Sequence, residues 1–396
     1  MDEGETAASP PDPTHTNKMR VFDDFQRTDS SRSQNSESMS AFLNRAHTPY
    51  FEAVRQLVED WFTRLCPSAQ ADVRGRLRDD DNLQFRSAFW ELYLHETLVK
   101  SGYTVECHPE IAGTTRRPDF LATSAGQSFY LEAICMARPD EKQASERDKN
   151  RIYDAIQGIN SPTFYVSVHV ESVDKFSPPT GPLRRELEAW LAGLNPDVIG
   201  RQIEADHSFD DIETYEWRNR GWHISFQPIP KSPENRGKEG IRPIGMYDYG
   251  ASFADDRTPF RAAVATKGKA YGTTMDLPFI VAVGTSFLGP DGIDVSDALD
   301  DIHVGYFRNK SGWHHPNVSG VLVAQDILPT SVTKQIPTFW GHPAASHPVD
   351  CLPAWGENAF RDNRRQFTPP RRPIHELLGL PEQWPPGKPF DQQSSD

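Results

Sequence analysis

The sequence predicts an α/β fold, a mixed sheet flanked by helices. Three observations lead there. Helix-like and strand-like apolar patterns alternate through the middle of the chain. The helical stretch 83–100 is apolar nearly all round, as a helix covered by other elements must be. The stretch PFIVAVG at 278–284 is a continuous apolar run, the pattern of a strand buried on both faces.

In chain order, residues 49–66 have helical spacing, with Phe51, Val54, Leu57, Val58, Trp61 and Phe62 on one stripe. The helix over 83–100 follows, with Gly102 as its stop. Three strand-like runs come next: YTVECHP (103–109), PDFLAT (118–123) and SFYLEAICM (128–136). Residues 141–159 read as an amphipathic helix with Ile152, Ala155 and Ile156 inward, and TFYVSVHV (163–170) as a fourth strand. The order is helix, three strands, helix, strand. A second block holds helices over 182–194 and 258–271, and strands over 222–230, 278–284 and 319–324. The five Asp between 290 and 301 read as a solvated face.

The chain has 396 residues, 37% hydrophobic, with 26 Gly and 33 Pro and a formal net charge of −14. That is a folded core diluted by irregular segments. Residues 1–40 are rich in Ser, Thr, Asp and Pro without apolar period, so disorder is expected. A Pro/Arg-rich tail is expected over 351–396. Between the tails, 45–175 reads as the core and 176–350 as an α/β extension. No apolar run approaches the roughly 20 residues of a membrane span, and the acidic N-terminus is not expected to act as a signal peptide. Cysteines at 66, 107, 135 and 351 are too scattered for a disulfide framework. A reducing, cytoplasmic setting is expected. The charge of −14 argues against a nucleic-acid coat protein, which binds through many phosphate contacts.

The stretch RRPDFLATSAGQSFYLEAI (116–134) carries the chemistry. If Ala125 and Gly126 are the two loop residues of a hairpin, 124 faces 127, and Asp119 then faces Glu132. Their β-carbons would be about 4.5–5.5 Å apart on one face. Two carboxylates so placed repel each other, and either a proton or a cation must sit between them. An oxygen-only site suits Mg²⁺ (or Mn²⁺) with water and phosphate. Arg116 and Arg117 stand where a phosphate would find them. A plain solvent-facing hairpin would have the same spacing. Against it, Phe129, Leu131 and Ala133 alternate with Tyr130, Glu132 and Ile134, so both faces of the second strand are largely apolar. A Glu buried there without a partner is costly.

These residues resemble the PD-(D/E)XK nuclease superfamily, the restriction-endonuclease-like fold. The pattern is an acidic residue on a leading helix, then Pro-Asp, then a strand with Glu where Glu-x-Lys is expected. The resemblance covers roughly 83–170 and implies an αβββαβ core. It implies that Asp119 and Glu132 bind Mg²⁺ and that Glu91 is the additional helix carboxylate. The whole of 50–345 is also similar in layout to uncharacterised bacterial proteins. At the motif Lys this chain has Ile134. That Lys would orient the attacking water and offset transition-state charge. In some members it moves to the following helix, where this chain has Lys142 and Lys149, Lys142 nearer the helix start. The expected catalytic set is Glu91, Asp119, Glu132 and Lys142, with DNA ahead of RNA as substrate, in bacterial defence or repair. The alternative is a catalytically inactive nuclease-like module that binds nucleic acid or a protein partner. Glu91 itself could be a site residue, or could surface at an edge or pair with Arg86 or His95.

Other candidates are weaker. His303, His314, His315, His342 and His347 fit no zinc spacing. Cys135 reads as a small core residue. Lys267 and Lys269, with Arg257 and Arg261, read as one basic helix face, either solvated or in contact with a phosphate backbone. Trp222, in WRNRGWHISFQPIPK, reads as core ahead of base stacking.

Overall fold

The computed structural model describes residues 19–136, 140–174, 176–206, 212–238, 242–248, 256–271, 275–285 and 290–390. Four helices come first: α1 (Met39–Arg45), α2 (Pro49–Arg64), α3 (Pro67–Leu77) and α4 (Asn82–Lys100). The chemistry at their ends explains the boundaries. Thr48 caps α2 by accepting from the Phe51 N–H, with Pro49 in the first turn, and Asp81 caps α4 through the Leu83 N–H. Helix α4 ends at Gly102, whose φ of 88° an L side chain would resist.

An antiparallel meander follows: β1 (Thr104–Cys107), β2 (Phe120–Ser124) and β3 (Gln127–Cys135). The chain then forms α5 (Asp140–Gln157), β4 (Phe164–Ser172), α6 (Thr180–Gly193), α7 (Pro196–Asp206), β5 (Tyr215–Asn219), β6 (Trp222–Pro230) and β7 (Ile244–Asp248). It continues with α8 (Arg257–Gly268), β8 (Phe279–Thr285), α9 (Gly292–Asp300), β9 (Arg308–Asn309), β10 (Gly312–Trp313), β11 (Gly320–Gln325), β12 (Thr338–Gly341), β13 (Gly356–Arg361), β14 (Arg364–Thr368) and α10 (Ile374–Leu378).

Among the described residues the strands form an eight-stranded mixed sheet in the order β1-β2-β3-β8-β11-β12-β13-β14, and a four-stranded sheet in the order β5-β6-β4-β7. Strands β3, β8 and β11 run parallel at the centre of the large sheet. One of its faces is covered by the first four helices and α10: Trp61, Phe89 and Leu94 meet Phe129, Leu131, Ala133, Ile280, Ala282 and Leu322. The other face is covered by α8 and α9, where Phe260, Val264 and Leu299 meet Tyr130, Val281, Val283 and Val321. The α/β class and the large mixed sheet flanked by helices are as predicted.

The expected continuous core over 45–175 is corrected. Helix α5 and strand β4 do not join the large sheet. Ile152 and Ile156 of α5 pack with Phe164, Val166 and Val168 of β4 and with Trp217, Ile224 and Phe226 of the small sheet. The strand parallel to β3 is β8, reached through α8. The 140–248 segment is thus an insertion between β3 and α8, with a hydrophobic core of its own. The physical reason is legible in the strands. In β4, buried Phe164, Val166 and Val168 alternate with half-buried Tyr165, Ser167 and His169, as in a strand with one covered face. All seven residues of β8 are buried, as the centre of a two-faced sheet requires.

The tails are corrected too. Residues 19–38, expected to be disordered, lie on the helix layer. Val21 and Phe22 are buried, and their N–H groups donate to the Glu59 carboxylate. Residues 1–18 and 391–396 lie outside the described residues. The Arg-rich segment forms the β13–β14 hairpin at the edge of the large sheet. Its two loop residues, Asp362 and Asn363, have φ of 49° and 60°, the left-handed turn that such residues favour. Arg365 is buried there against Asp300 at 2.6 Å. The Asp run is likewise engaged: Asp291 and Asp294 close a capping box on α9, and Asp297 pairs with Arg257. Cys66 and Cys107 form a disulfide, although their spacing predicts none. No helix among the described residues is long and apolar enough to cross a membrane.

Candidate carboxylate site

The β2–β3 register pairs Ser124 with Gln127 and Phe120 with Leu131. This is the register of a two-residue turn, so Asp119, just ahead of β2, falls opposite Glu132. The Ala133 N–H donates to Asp119 Oδ2 at 2.6 Å and fixes the carboxylate against β3. Asp119 makes no hydrogen bond through Oδ1 among the described residues. Neighbouring β3 residues divide by alternation: Phe129, Leu131 and Ala133 face α4, while Tyr130 and Ile134 face α8. Glu132 therefore faces α8.

The expected Lys142 side chain lies outside the described residues; the helix that carries it, α5, packs with the small sheet. Lys149 is on the same helix. The cation at Glu132 is Lys267, in the last turn of α8, with Nζ 2.5 Å from Oε1. The other carboxylate oxygen, Oε2, accepts from the Tyr271 hydroxyl at 2.7 Å. Sequence reasoning missed Tyr271 altogether, and read Lys267 as part of a basic helix face and not as the partner of Glu132. The signal was present: a helix that leads directly into the most apolar strand of the chain is the crossover helix of a parallel pair. Helix α8 comes close to its neighbours because Gly268 has no Cβ; one built there would lie 2.1 Å from the Tyr306 hydroxyl.

The basic face read on α8 is in fact divided. Lys267 points to Glu132, Arg257 pairs with Asp297, and Arg261 donates to the Val304 carbonyl. Arg261 and Lys269, with Tyr306 and His315, line a cavity of about 300 Å³ on another side of the helix. Arg117 pairs with Glu110 at 2.5 Å. Arg116 is exposed, yet close enough for its charge to favour the ionised form of Tyr271.

Glu91 is buried on α4, and its partner is neither Arg86 nor His95. Arg76 of α3 holds it through two hydrogen bonds of 2.8 and 2.6 Å, the bidentate geometry of a guanidinium on a carboxylate. Arg86 instead faces Asp326 at 3.6 Å.

The electrostatics follow from this geometry. Burial raises the Asp119 pKa well above the ordinary carboxylate range, and the Glu132 and Glu91 charges raise it further. The Ala133 N–H and Lys267 oppose that rise only in part. Burial pulls the Lys267 ammonium toward neutrality, but Glu132 beside it outweighs burial and keeps it protonated above the usual lysine value. Burial, then the Glu132 charge, pushes the Tyr271 hydroxyl up, so it stays a donor. Cys135 is pushed up to about 12 by burial, which keeps it a thiol and fits a core role.

Three carboxylates thus face two cations, Arg76 and Lys267. The uncompensated negative charge is that of Asp119. A hard divalent cation with oxygen ligands fits this donor set: it would take Oδ1 of Asp119, share Glu132 and relieve the repulsion between them. The three carboxylates are not drawn into one tight cage. Among the described residues, the group of three metal-type ligands whose donor atoms lie within 4.8 Å of one another is Cys66, His95 and Cys107.

The remaining candidates have local roles. His342 Nε2 is 2.6 Å from the His314 carbonyl, and His315 stacks on Tyr306 at 4.3 Å. Trp222 is buried in the small sheet. The chain matches no family model, no curated protein and no solved structure.

Proposed function

We propose that the chain is a divergent metal-dependent phosphodiesterase that hydrolyses DNA, in bacterial defence or repair. The observation that carries this reading is the Lys267 ammonium against Glu132, opposite Asp119. An ammonium beside a carboxylate pair is the part the strand itself lacks, since Ile134 stands at the motif position. Asp119 and Glu132 would hold Mg²⁺ or Mn²⁺, and Glu91 would assist through its charge. Once bound, the cation would offset charge on the scissile phosphate. Lys267 would orient the attacking water and stabilise the phosphorane-like oxygens. Tyr271, keeping its proton, would hold Glu132 in place. The basic lining of the α8 cavity, Arg261 and Lys269, offers contacts to backbone phosphates, which position a duplex without reading it.

The experiment is DNA cleavage with Mg²⁺ or Mn²⁺ by the parent, Asp119→Ala, Lys267→Ala and Lys142→Ala, with metal binding followed by calorimetry. The reading requires metal heat that vanishes in Asp119→Ala. It also requires cleavage that falls by orders of magnitude in Lys267→Ala and survives in Lys142→Ala.

One observation favours a second reading, a catalytically inactive module that binds nucleic acid or a protein partner. Both oxygens of Glu132 and both of Glu91 already accept hydrogen bonds within the protein. DNA retained in a gel shift, without metal heat or cleavage, would select it.

A further inference from the structure

We propose that Cys66, His95 and Cys107, once the two cysteines are reduced, form a binding site for a soft divalent cation of the zinc class. The proposal stands apart from the nuclease reading. The three residues come from three elements that meet at one edge of the large sheet. Cys66 is the residue before α3, His95 lies in the second half of α4, and Cys107 ends β1. Their sulfurs and a ring nitrogen of His95 lie within 4.8 Å of one another. Two thiolates and an imidazole are the ligands zinc prefers, with a fourth position left for water.

His95 is the independent observation. It is 3% exposed, and its Nδ1 is buried without a hydrogen-bond partner. Leaving such an atom unsatisfied is costly, because it has lost its water without gaining a partner. A disulfide beside it offers the imidazole almost nothing, since a disulfide sulfur is a poor acceptor and no donor. A cation bound by both sulfurs would accept the imidazole lone pair.

The chemistry balances. A dithiol such as dithiothreitol delivers two electrons and two protons to the Cys66–Cys107 bond. That bond opens to two thiols while the reductant closes to its own disulfide. The cation then displaces both thiol protons to solvent. In a tetrahedral site the two sulfurs would part to roughly 3.8 Å. The Cα atoms are 6.1 Å apart, so side-chain rotation suffices. The cation would tie the α2–α3 corner and α4 to the edge strand β1, as the disulfide does in the oxidised chain.

The test uses the full chain, reduced with dithiothreitol, freed of reductant without air and titrated with Co²⁺ as a zinc probe. Thiol counting first checks that the pair has opened in the folded protein. The expected result is a thiolate-to-cobalt charge-transfer band that saturates at one equivalent and is abolished by Zn²⁺. His95→Ala retains both sulfurs; it should weaken Co²⁺ binding more than about a hundredfold, beyond the roughly 10–100-fold that loss of a mere outer partner costs. Air-oxidised parent should give no band. A reduced parent without a band, a band unchanged in His95→Ala, or a disulfide that survives the reductant would each overturn the proposal. Cys66→Ser is followed by circular dichroism, so that loss of the band is separated from loss of the fold.

Discussion

Lys267 and Glu132 meet at 2.5 Å although 135 positions separate them in the chain. The contact closes the β3–α8–β8 crossover with a charge pair on the strand that carries the candidate metal ligand. Glu132 is almost fully buried, whereas about a quarter of the Lys267 side chain is exposed. The pair therefore affects stability as well as chemistry.

Removing the cation alone should be expensive. Lys267→Met leaves the buried Glu132 carboxylate with only the Tyr271 hydroxyl. A loss of about 3 kcal/mol is expected, at the low end for a broken buried pair because the lysine is partly solvated. Adding Glu132→Gln should recover part of it, since the unpaired charge is then gone. Urea melts of the two single variants and the double variant measure the coupling. Independent, additive losses would show that the contact carries no energy.

Asp119→Asn should stabilise the chain at neutral pH. An acid whose folded pKa is raised keeps its proton in the folded chain where the unfolded chain has lost it. Stability therefore falls as pH rises from the ordinary Asp value near 3.8 toward the raised one. At pH 7 the folded carboxylate is a net cost. The amide removes that cost and still accepts from the Ala133 N–H, for a gain of about 1 kcal/mol. Millimolar Mg²⁺ should raise the melting temperature of the parent and leave the variant unmoved. A variant that melts below the parent at pH 7 would refute this.

The two lysine expectations separate cleanly. Lys142→Ala should leave metal binding, stability and any cleavage unchanged, because α5 packs on the small sheet. A loss of metal heat in that variant, equal to the loss in Asp119→Ala, would return the ammonium to α5.

The C-terminal hairpin should be part of the fold and not an appendage. Arg365 and Asp300 are both more than nine-tenths buried, and the guanidinium also bonds the Gly341 and Asn358 carbonyls. Arg365→Met leaves Asp300 without its guanidinium and removes a donor from two carbonyls. About 3–5 kcal/mol of stability should be lost, read from the urea midpoint. A midpoint within experimental error of the parent would mean that the hairpin does not contribute to the sheet's stability.

Several of these features could be read locally. The stripe of α2, the stop at Gly102 and the continuous burial of β8 follow from periodicity and one special residue. The tails depart from what their composition suggests because local geometry outweighs composition there. Asp362-Asn363 is a turn signal despite the arginines around it, and one of those arginines is buried. The division between β4 and β8 was also present, in alternating against continuous apolar residues. Element order alone hid it, because an inserted α/β unit repeats the order that the core was expected to have.

The sequence by itself determined that Asp119 faces Glu132 if the hairpin has a two-residue loop, and the strand register shows that it does. A two-residue loop ties the partners together, and pairing at that short separation follows from strand geometry once the loop length is known. Which lysine meets that pair was decided only by the tertiary structure. The choice lay between helices that look alike in composition, and a whole inserted sheet intervenes before the right one. Only the crossover from β3 to β8 brings α8 over the strand, and only burial of Glu132 makes one of its basic residues turn inward.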